Sequence, residues 1–218
     1  MPIITHMLPP PLSNHDARML QHYNDINVKA YDSHDVRQRK AMLNKLAMQL
    51  VVRHHYLRRK CPRSWAFTIS LETPEFPSSL VYGVCIVGKP RSYSTCVGLV
   101  GETRKDHKAR RGRNVDVFEL KRLWLHDELP KKSESKFLGW CLRELKRIKP
   151  NLILVSYADI EQGHSGGIYK STNWINTGLN AKWTGRTRKH RFVWFADPKD
   201  ENLLAWPKVP YPKAKPLA

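Results

Sequence analysis

The chain is poor in acidic residues, in cysteine and in long apolar runs. Asp and Glu number 19 against 38 Lys and Arg, so the 218 residues carry a formal net charge of +19. This excess favours a polyanionic partner such as nucleic acid, although a merely basic, ribosomal-type surface stays open. No apolar run approaches the roughly 18 residues of a membrane span, and the first residues lack a signal-peptide pattern. We therefore expect a cytoplasmic protein without membrane contact.

The four cysteines show neither a CxxC pair nor zinc-ligand spacing, which argues against a zinc module. Cys85 lies in a strand pattern and Cys141 on the apolar stripe of a helix, so we expect both in the core. His54 and His55 are weak metal candidates, and iron stays among the open choices. Neighbouring helical positions diverge by roughly 100° and cannot both bind one ion, so no metal site is assigned.

Composition and periodicity divide the chain into three parts. Residues 1–35 are polar and Pro-containing, and we expect an irregular arm there. Residues 36–196 carry the helix and strand patterns of one domain. Residues 197–218 form a Pro-rich tail that is expected either to pack along the surface or to be disordered.

The patterns of the central part predict an α/β (α+β) fold with a single mixed sheet and helices on both faces. An amphipathic helix is predicted over Val36–Arg53. The later elements are strands over Ala66–Leu71, Leu80–Val87 and Val115–Leu125, a helix with an apolar stripe from Phe137 to Ile148, a buried strand over Leu152–Val155, and a terminal hairpin with strands near 182–184 and Arg191–Phe195.

The segment SYADIEQGHSGGIYKSTNW, from Ser156 to Trp174, follows the buried strand with a polar turn that contains glycine. A strand that ends in such a turn and leads into a helix presents side chains at the mouth of a sheet, where ligands bind. A helix over the last part of the segment would place Tyr169 and Asn173 on one face. The segment's site candidates are Asp159, His164, Tyr169 and Asn173. A turn-forming or capping role for Asp159, a packing role for Tyr169 and a surface turn position for His164 stay open.

Arg122 is a charged residue among the apolar side chains of a predicted central strand. An arginine in that setting is either a buried ion-pair partner or a clamp for phosphate or carboxylate. Paired with Asp159, it would serve both the structure and the site.

Three motifs in order carry a resemblance to a known family. HHYLRR at His54–Arg59, FELKRLWLHDELPKKSESKFLGW at Phe118–Trp140 and the segment at Ser156–Trp174 together resemble the Mom proteins of Mu-like bacteriophages, over roughly Lys40–Trp194. Those proteins are GNAT-like enzymes that add a carbamoylmethyl (acetamido) group to the exocyclic amine of adenine in phage DNA, which protects the DNA from restriction. The resemblance implies a GNAT-like acyltransferase fold with a mostly antiparallel sheet, and a DNA-adenine-modifying transferase in the host cytoplasm.

An adenine amine is a poor nucleophile because its lone pair is delocalised into the ring. An enzyme must orient the amine, remove a proton and activate the electrophile. With the resemblance, the candidates for these tasks are Asp159, Tyr169, His55, Tyr56 and Arg122. In ordinary GNAT enzymes a tyrosine on the helix after the fifth strand often protonates the departing thiolate, and Tyr169 occupies the equivalent place.

The stretch LPKKSES, residues 129–135, departs from the usual donor-binding loop of acyltransferases. That loop has an Arg/Gln-x-x-Gly-x-Gly/Ala character, and its glycines let backbone amides reach a pyrophosphate. Their absence argues against acetyl-CoA and favours another activated small molecule as the group donor, whose identity stays unknown. Ser133 and Ser135 are weak candidates for binding the donor, and either serine can cap the helix that follows.

Two basic clusters, RKDHKARRGR at 104–113 and GRTRKHR at 185–191, predict phosphate contacts with double-stranded DNA. The reacting adenine would be flipped out and stacked on Trp124, Trp174 or Trp183, unless those side chains are core residues. A solvated charged face is the alternative for the clusters, and a homodimer stays open. The predicted contacts are Arg104, Lys105, Lys108, Arg110, Arg111, Arg113, Arg186, Arg188, Lys189 and Arg191.

A second class of function also stays open. The chain would then be a non-catalytic basic nucleic-acid-binding protein on an acyltransferase-like scaffold, or an acyltransferase that acts on RNA or protein. The polar segment after the buried strand favours the DNA-modifying enzyme, whereas the donor loop without glycine favours the second class.

Overall fold

The fold is a mixed seven-stranded sheet with helices, seen in a computed structural model that describes residues 27–31, 47–55, 65–72, 81–101, 116–127, 129–181 and 187–212. The elements in chain order are β1 (Asn27–Tyr31), α1 (residues 47–54), β2 (Trp65–Glu72), β3 (Val81–Gly88), α2 (Tyr93–Leu99), β4 (Asp116–Leu125), α3 (Ser133–Ile148), β5 (Leu152–Asp159), α4 (Gly167–Lys170), β6 (Ile175–Leu179), β7 (Lys189–Phe195) and a 3-10 helix (Pro198–Leu203). The strand order is β1-β2-β3-β4-β5-β7-β6. β4 and β5 are parallel, whereas β1–β2, β5–β7 and β6–β7 are antiparallel. The predicted fold class is confirmed.

The first of two compact units comprises residues 1–87 and 121–141. α1 places Ala47, Leu50 and Val51 at the i, i+3, i+4 spacing of one helix face. β3 is a continuous apolar run that is buried from Tyr82 to Gly88, as expected of a strand covered on both faces. The core cluster of this unit consists of Ala47, Leu50, Val51, Val84, Ile86 and Trp124.

The second unit comprises residues 88–120 and 142–218, and its core covers one face of β5. Side chains alternate along a strand, so Ile153 and Val155 share this face while Ser156 points to the other. Residues directly opposite in an antiparallel pair also share a face, which puts Phe192, the partner of Ser156, on the side of Ser156. The core cluster consists of Cys96, Leu99, Val117, Ile153, Val155, Val193 and Phe195. The opposite face of β5, which carries Leu154, Ser156 and Ala158, is buried as well.

The elements with the clearest periodicity agree with the sequence analysis. The predicted strands that correspond to β2, β3, β4, β5 and β7 are confirmed, as is the helix that corresponds to α3. Cys85 and Cys141 are fully buried, also as predicted. The predicted beginning of the first helix at Val36 lies outside the described residues. None of the helices in the described ranges is long and apolar enough to cross a membrane.

One prediction in the strand regions was wrong, and another lies outside the described residues. The segment predicted to be an irregular arm contains β1. Its backbone hydrogen bonds are made by antiparallel pairing with β2, which the polar sequence of β1 does not indicate. β7 is paired with β6, at Ile175–Leu179, and the strand predicted near 182–184 lies outside the described residues. β6 and β7 lose regular register between Asn176 and Leu179, so the alternation that marks a strand is interrupted there.

Two helix predictions were also wrong. α4 ends at Lys170, and Asn173 is exposed with a φ of 61°, so Tyr169 and Asn173 do not share a helical face. Asparagine tolerates this left-handed conformation better than most residues do. α3 begins at Ser133 itself, so Ser133 and Ser135 both lie within its first turn and neither is its N-cap.

Candidate active site

The candidate site lies at the carboxyl end of β5. β4 and β5 are paired through Asp116–Glu119 and Leu152–Val155. β5 then continues to Asp159 with β7 as its antiparallel neighbour. Within these described strands the parallel ladder therefore ends at Val155, and the four residues of the SYAD stretch stand beyond its end.

Tyr169 and Ser156 form a buried pair of hydroxyl groups. Tyr169 is 7% exposed, and its hydroxyl oxygen lies 2.8 Å from Oγ of Ser156, which is 2% exposed. The Ser156 hydroxyl also donates to the carbonyl oxygen of Leu120 at 3.4 Å. A serine has one proton to donate, so Tyr169 donates to Ser156 whenever Ser156 donates to Leu120. The phenol is thus held in a chain of hydrogen bonds that ends at the Leu120 carbonyl.

The ring of Tyr169 is fixed by two other aromatic rings. It stacks on Phe192 with centroids 4.5 Å apart and meets Trp174 edge to face at 5.1 Å. Gly166 permits this packing, because an added Cβ would lie 2.2 Å from the Phe192 ring and because its φ of 84° disfavours other residues. The backbone N–H of Tyr169 donates to the Gly166 carbonyl at 3.0 Å, which links the glycine directly to the tyrosine.

Asp159 is buried at 7% exposure, and both of its carboxylate oxygens have partners. Oδ2 lies 2.7 Å from Nζ of Lys189, the residue opposite on β7. Oδ1 accepts the backbone N–H of Glu161 at 3.2 Å, and the carbonyl of Asp159 accepts the N–H of His164. Asp159 therefore forms the turn after β5, one of the roles left open by the sequence. Its ion pair is with Lys189, and not with Arg122, for which pairing with Asp159 was one of the possibilities left open by the sequence.

The other candidates of this segment differ in exposure. His164 and Asn173 are both exposed. Trp174 is only 3% exposed, so its predicted role in stacking a base is replaced by packing against Tyr169. The indole Nε1 of Trp174 is buried without a hydrogen-bond partner among the described residues.

The first unit carries the remaining catalytic candidates. His55 follows the last helical residue of α1 and is half-buried. Its backbone N–H donates to the Val51 carbonyl at 3.1 Å. Arg122 is half-buried on β4, where Nη1 donates to the Lys121 carbonyl at 2.6 Å. Nε of Arg122 is buried and has no hydrogen-bond partner among the described residues. That nitrogen is a donor suited to an anionic or carbonyl group. Tyr56 lies outside the described residues.

His54 packs against a tryptophan. Its ring centroid is 5.3 Å from that of Trp124, which is itself buried in the core of the first unit and so does not serve as an exposed stacking platform. Burial lowers the pKa of His54, and the charges of Arg53 and His126 lower it further. Among the residues that the structure describes, no group of three or more His, Cys, Asp or Glu side chains could hold a metal ion.

The two serines proposed for the donor are engaged with the main chain. The Ser133 hydroxyl donates to the Pro130 carbonyl at 2.6 Å, and the Ser135 hydroxyl donates to the Lys132 carbonyl at 3.0 Å. Each hydroxyl has a single proton, so in this arrangement neither serine has a donor left for a ligand.

The described part of the second basic cluster is bound to the protein. Arg188 is exposed, with Nε donating to the Asn180 carbonyl at 3.0 Å. Arg191 donates from Nε to Thr177 Oγ1 at 2.9 Å and stacks over Trp206 at 3.5 Å, and burial lowers its pKa. These contacts give Arg191 a structural role. Seven predicted DNA contacts and Trp183 lie outside the described residues: Arg104, Lys105, Lys108, Arg110, Arg111, Arg113 and Arg186.

Sequence reasoning missed three side chains that hold the candidates in place. The sequence predicts Lys189 as a DNA contact and Phe192 as part of a strand, and it marks Ser156 only as the start of a motif. Alternation along β5 puts Ser156, a polar residue, on the same face as Leu152 and Leu154, and a polar residue at such a position was a usable signal. The pairing of Lys189 with Asp159 depends on the register of β7 against β5, which the sequence does not specify.

A family model decides the relationship to known proteins. The model described as the Mom protein family matches residues 39–185, which are about two thirds of the 218 residues. The chain belongs to the Mom protein family. The match includes the whole segment from Ser156 to Trp174 and ends before β7 begins.

One curated relative is the protein named Methylcarbamoylase mom of Escherichia phage Mu, which is 36% identical over 61 residues. That alignment covers 28% of this chain and 25% of the relative, so the chain spans about a quarter of the length of the curated relative it matches. The alignment supports the family membership and leaves activity to be argued from the site.

Solved structures show the fold. Arabidopsis thaliana NAA60, in a structure described as a complex with acetyl-CoA, matches with a TM-score of 0.51 at 11% identity over 78% of this chain and 99% of that chain. The putative acetyltransferase yncA from Salmonella typhimurium matches with a TM-score of 0.48 at 14% identity over 80% and 96%. The first of these likenesses identifies the fold as that of GNAT acetyltransferases.

Proposed function

We propose that the protein transfers a carbamoylmethyl (acetamido) group to the N6 amine of adenine in DNA and so protects phage DNA against restriction. The match of residues 39–185 to the Mom family carries this proposal. The GNAT fold, the name of the phage Mu relative and the net charge of +19 support it. The buried pair of Tyr169 and Ser156 supplies a proton-transferring group in the segment that the family match includes.

The proposed reaction needs one proton removed and one supplied. The N6 nitrogen forms a bond to the transferred carbon and loses a proton, while the leaving group departs with the electron pair of the broken bond. We assign Tyr169 to protonate the leaving group. Ser156 would donate a hydrogen bond to the resulting phenolate, because its hydroxyl lies 2.8 Å from the phenol oxygen, and a proton from solvent would then regenerate the phenol.

Asp159 is assigned to the adenine amine, as a hydrogen-bond acceptor that orients it or as the base that takes its proton. Its Oδ2 is within 2.7 Å of Lys189, so the base role requires the lysine to move toward another anion. Lys189 lies beside the basic turn proposed to hold DNA phosphates, and a bound phosphate would be such an anion. This arrangement would link the binding of DNA to the release of the carboxylate.

The remaining assignments rest on the first unit and on DNA geometry. His55 and Tyr56 are proposed to contact the acceptor base, and the unpartnered Nε of Arg122 is proposed to bind an oxygen of the donor. The substrate is double-stranded DNA with the adenine flipped out of the stack, since its amine is otherwise hard to reach for covalent chemistry. The donor is an activated small molecule, and we place the reaction in the host cytoplasm. Acetyl-CoA is the donor least favoured by the LPKKSES loop, whereas iron and a homodimer are open to test.

Nucleoside mass spectrometry of plasmid DNA co-expressed with the protein tests the function. We expect a carbamoylmethyl adduct on deoxyadenosine with the intact chain, and at least a tenfold decrease with Tyr169→Phe or Asp159→Asn. Ser171→Ala is the control, because Ser171 is an exposed residue near Tyr169 whose hydroxyl only donates to the Gly167 carbonyl. Unmodified deoxyadenosine from the intact, folded protein would reject the enzyme.

A non-catalytic nucleic-acid-binding protein is the second candidate. The observation that favours it is the engagement of both donor-loop serines with main-chain carbonyls. DNA affinity with a steep salt dependence, together with unmodified DNA, would support this alternative. An adduct found on RNA or protein instead would move the activity to another acceptor.

A further inference from the structure

The C-terminal strap, residues 204–212, lies along the second unit and is held by main-chain hydrogen bonds. The N–H of Ala205 donates to the Leu99 carbonyl at 2.8 Å, and the N–H of Val209 donates to the Asn176 carbonyl at 2.9 Å. The Asn176 side chain donates in turn to the Pro210 carbonyl at 2.6 Å. Of the two alternatives left open for the tail, packing is therefore the one observed as far as residue 212.

Tyr211, near the end of the strap, contacts both aromatic residues that hold the candidate catalytic tyrosine. Its ring stacks on Phe192 with centroids 5.7 Å apart and an interplanar angle of 27°. Its hydroxyl donates to the backbone carbonyl of Trp174. Phe192 and Trp174 are the same two residues whose rings meet Tyr169 at 4.5 and 5.1 Å.

The packing leaves these rings little freedom. Phe192 is fully buried and lies between Tyr169 on one side and Tyr211 on the other, so loss of either neighbour leaves a space into which Phe192 can move. Burial also raises the pKa of Tyr211, so that its hydroxyl stays protonated and able to donate at neutral pH. A shift of Phe192 would alter the face against which Tyr169 is stacked.

We propose that Tyr211, in the C-terminal strap, is a positioning residue for Tyr169, acting through Phe192 and Trp174. The strap lies beyond residue 185, where the family match ends. The role of Tyr211 in holding Tyr169 rests on geometry alone, whereas its effect on catalysis rests on the proposed function.

The test compares variants of two aromatic residues of the strap. Tyr211→Leu removes the ring and the hydroxyl, whereas Tyr211→Phe keeps the ring and loses only the bond to Trp174. Trp206→Leu is the matched control, because Trp206 packs over Gly98 and under Arg191. All proteins carry 3-fluorotyrosine, and fluorine NMR follows the Tyr169 signal, which is identified by its loss in Tyr169→Phe.

We expect Tyr211→Leu to shift the Tyr169 signal, with a smaller shift in Tyr211→Phe and none in Trp206→Leu. Adenine modification below the melting temperature should fall about tenfold in Tyr211→Leu, since small displacements of a reacting group have effects of that order or larger. It should stay within about twofold of the unaltered protein in Trp206→Leu.

An unchanged Tyr169 signal in Tyr211→Leu would overturn the proposal, and so would equal shifts in Tyr211→Leu and Trp206→Leu, which would indicate general loosening. If Tyr211→Leu does not fold, the same two criteria are applied to Tyr211→Phe. The NMR result does not depend on any reaction. If DNA exposed to the unaltered protein carried no adenine adduct, the proposed function would be rejected. The Tyr169 signal would still test the positioning role of Tyr211.

Discussion

Replacement of Gly166 by alanine should destabilise the protein more than replacement of either neighbouring glycine of the same segment. A residue other than glycine at a φ of 84° costs about 1 kcal/mol. The new methyl carbon would lie 2.2 Å from Cζ of Phe192 and 2.9 Å from both Cε atoms. Phe192 is fully buried between two aromatic rings, so relief of this overlap costs about another 1–3 kcal/mol. We therefore expect a total loss of about 2–4 kcal/mol.

The segment contains two controls that separate these contributions. Gly163 has a φ of 71° with nothing within 4 Å of an added Cβ, so Gly163→Ala should cost about 1 kcal/mol from the backbone alone. Gly167 also has open space and does not have a positive φ, so Gly167→Ala should change the free energy of unfolding by less than about 0.5 kcal/mol.

The assay is urea denaturation, followed by tryptophan fluorescence and by circular dichroism, with coincident transitions as the check for two-state unfolding. Near-ultraviolet circular dichroism of the folded Gly166→Ala protein should also change, because the Phe192 and Tyr169 rings must move. If Gly166→Ala cost no more than Gly163→Ala, the contact between Gly166 and Phe192 would be wrong, and with it the packing of the candidate site.

Three further predictions concern groups around the site. Ser156→Ala removes the hydroxyl partner of the buried phenol and should lower the free energy of unfolding by about 1–2 kcal/mol, whereas the exposed control Ser171→Ala should change it by less than about 0.5 kcal/mol. Lys189→Met leaves a buried carboxylate without its cation and should cost about 1–3 kcal/mol at pH 7, whereas Lys208→Met breaks an exposed pair and should cost less than about 1 kcal/mol, both measured in urea. Burial lowers the pKa of His190, so below about pH 6.5 the folded protein binds fewer protons than the unfolded chain does. The free energy of unfolding should therefore decrease as the pH falls through this range. His190→Gln should make this decrease smaller when denaturation is measured as a function of pH.

Each of these predictions has an outcome that contradicts it. Equal effects of the two serine variants would show that the buried hydroxyl pair adds nothing to stability. A Lys189→Met protein as stable as Lys208→Met would mean that the buried ion pair is absent in solution. A His190→Gln protein with an unaltered pH slope between pH 7 and 5 would show that the imidazole is as accessible as in the unfolded chain.

Regular elements were predictable because their patterns are local. The apolar runs of β3 and β5 and the helical stripe of α3 each occupy a continuous stretch, and burial follows from the pattern itself. β1, with the polar sequence NVKAY, is a strand because β2 pairs with it, and that information is not local. α4 is a single turn, too short for periodicity to establish where it ends.

The candidate site was predictable in its position and only partly in its contacts. Glycines and polar residues after an apolar run marked the Ser156–Trp174 segment, because turn chemistry is readable in sequence. The contacts that hold Asp159 and Tyr169 come from β7 and from the C-terminal strap, 20 to 50 residues later in the chain. Those contacts depend on strand register and on the path of a tail that has no periodicity. Without that information, a lysine in a basic cluster is predicted to bind DNA, and the ion pair of Lys189 with Asp159 is missed.

The order β5-β7-β6 has a consequence for synthesis of the chain. β7 lies between two strands that are both made before it, so β5 can pair with β4 but lacks its second neighbour, and β6 lacks its link to the sheet, until Lys189–Phe195 have been translated. During that interval the apolar edge of β5 is an unpaired strand that a second nascent chain could extend. A fragment of residues 39–185, the segment that matches the family, lacks β7 and would keep this edge of β5 exposed. We therefore expect such a fragment to self-associate.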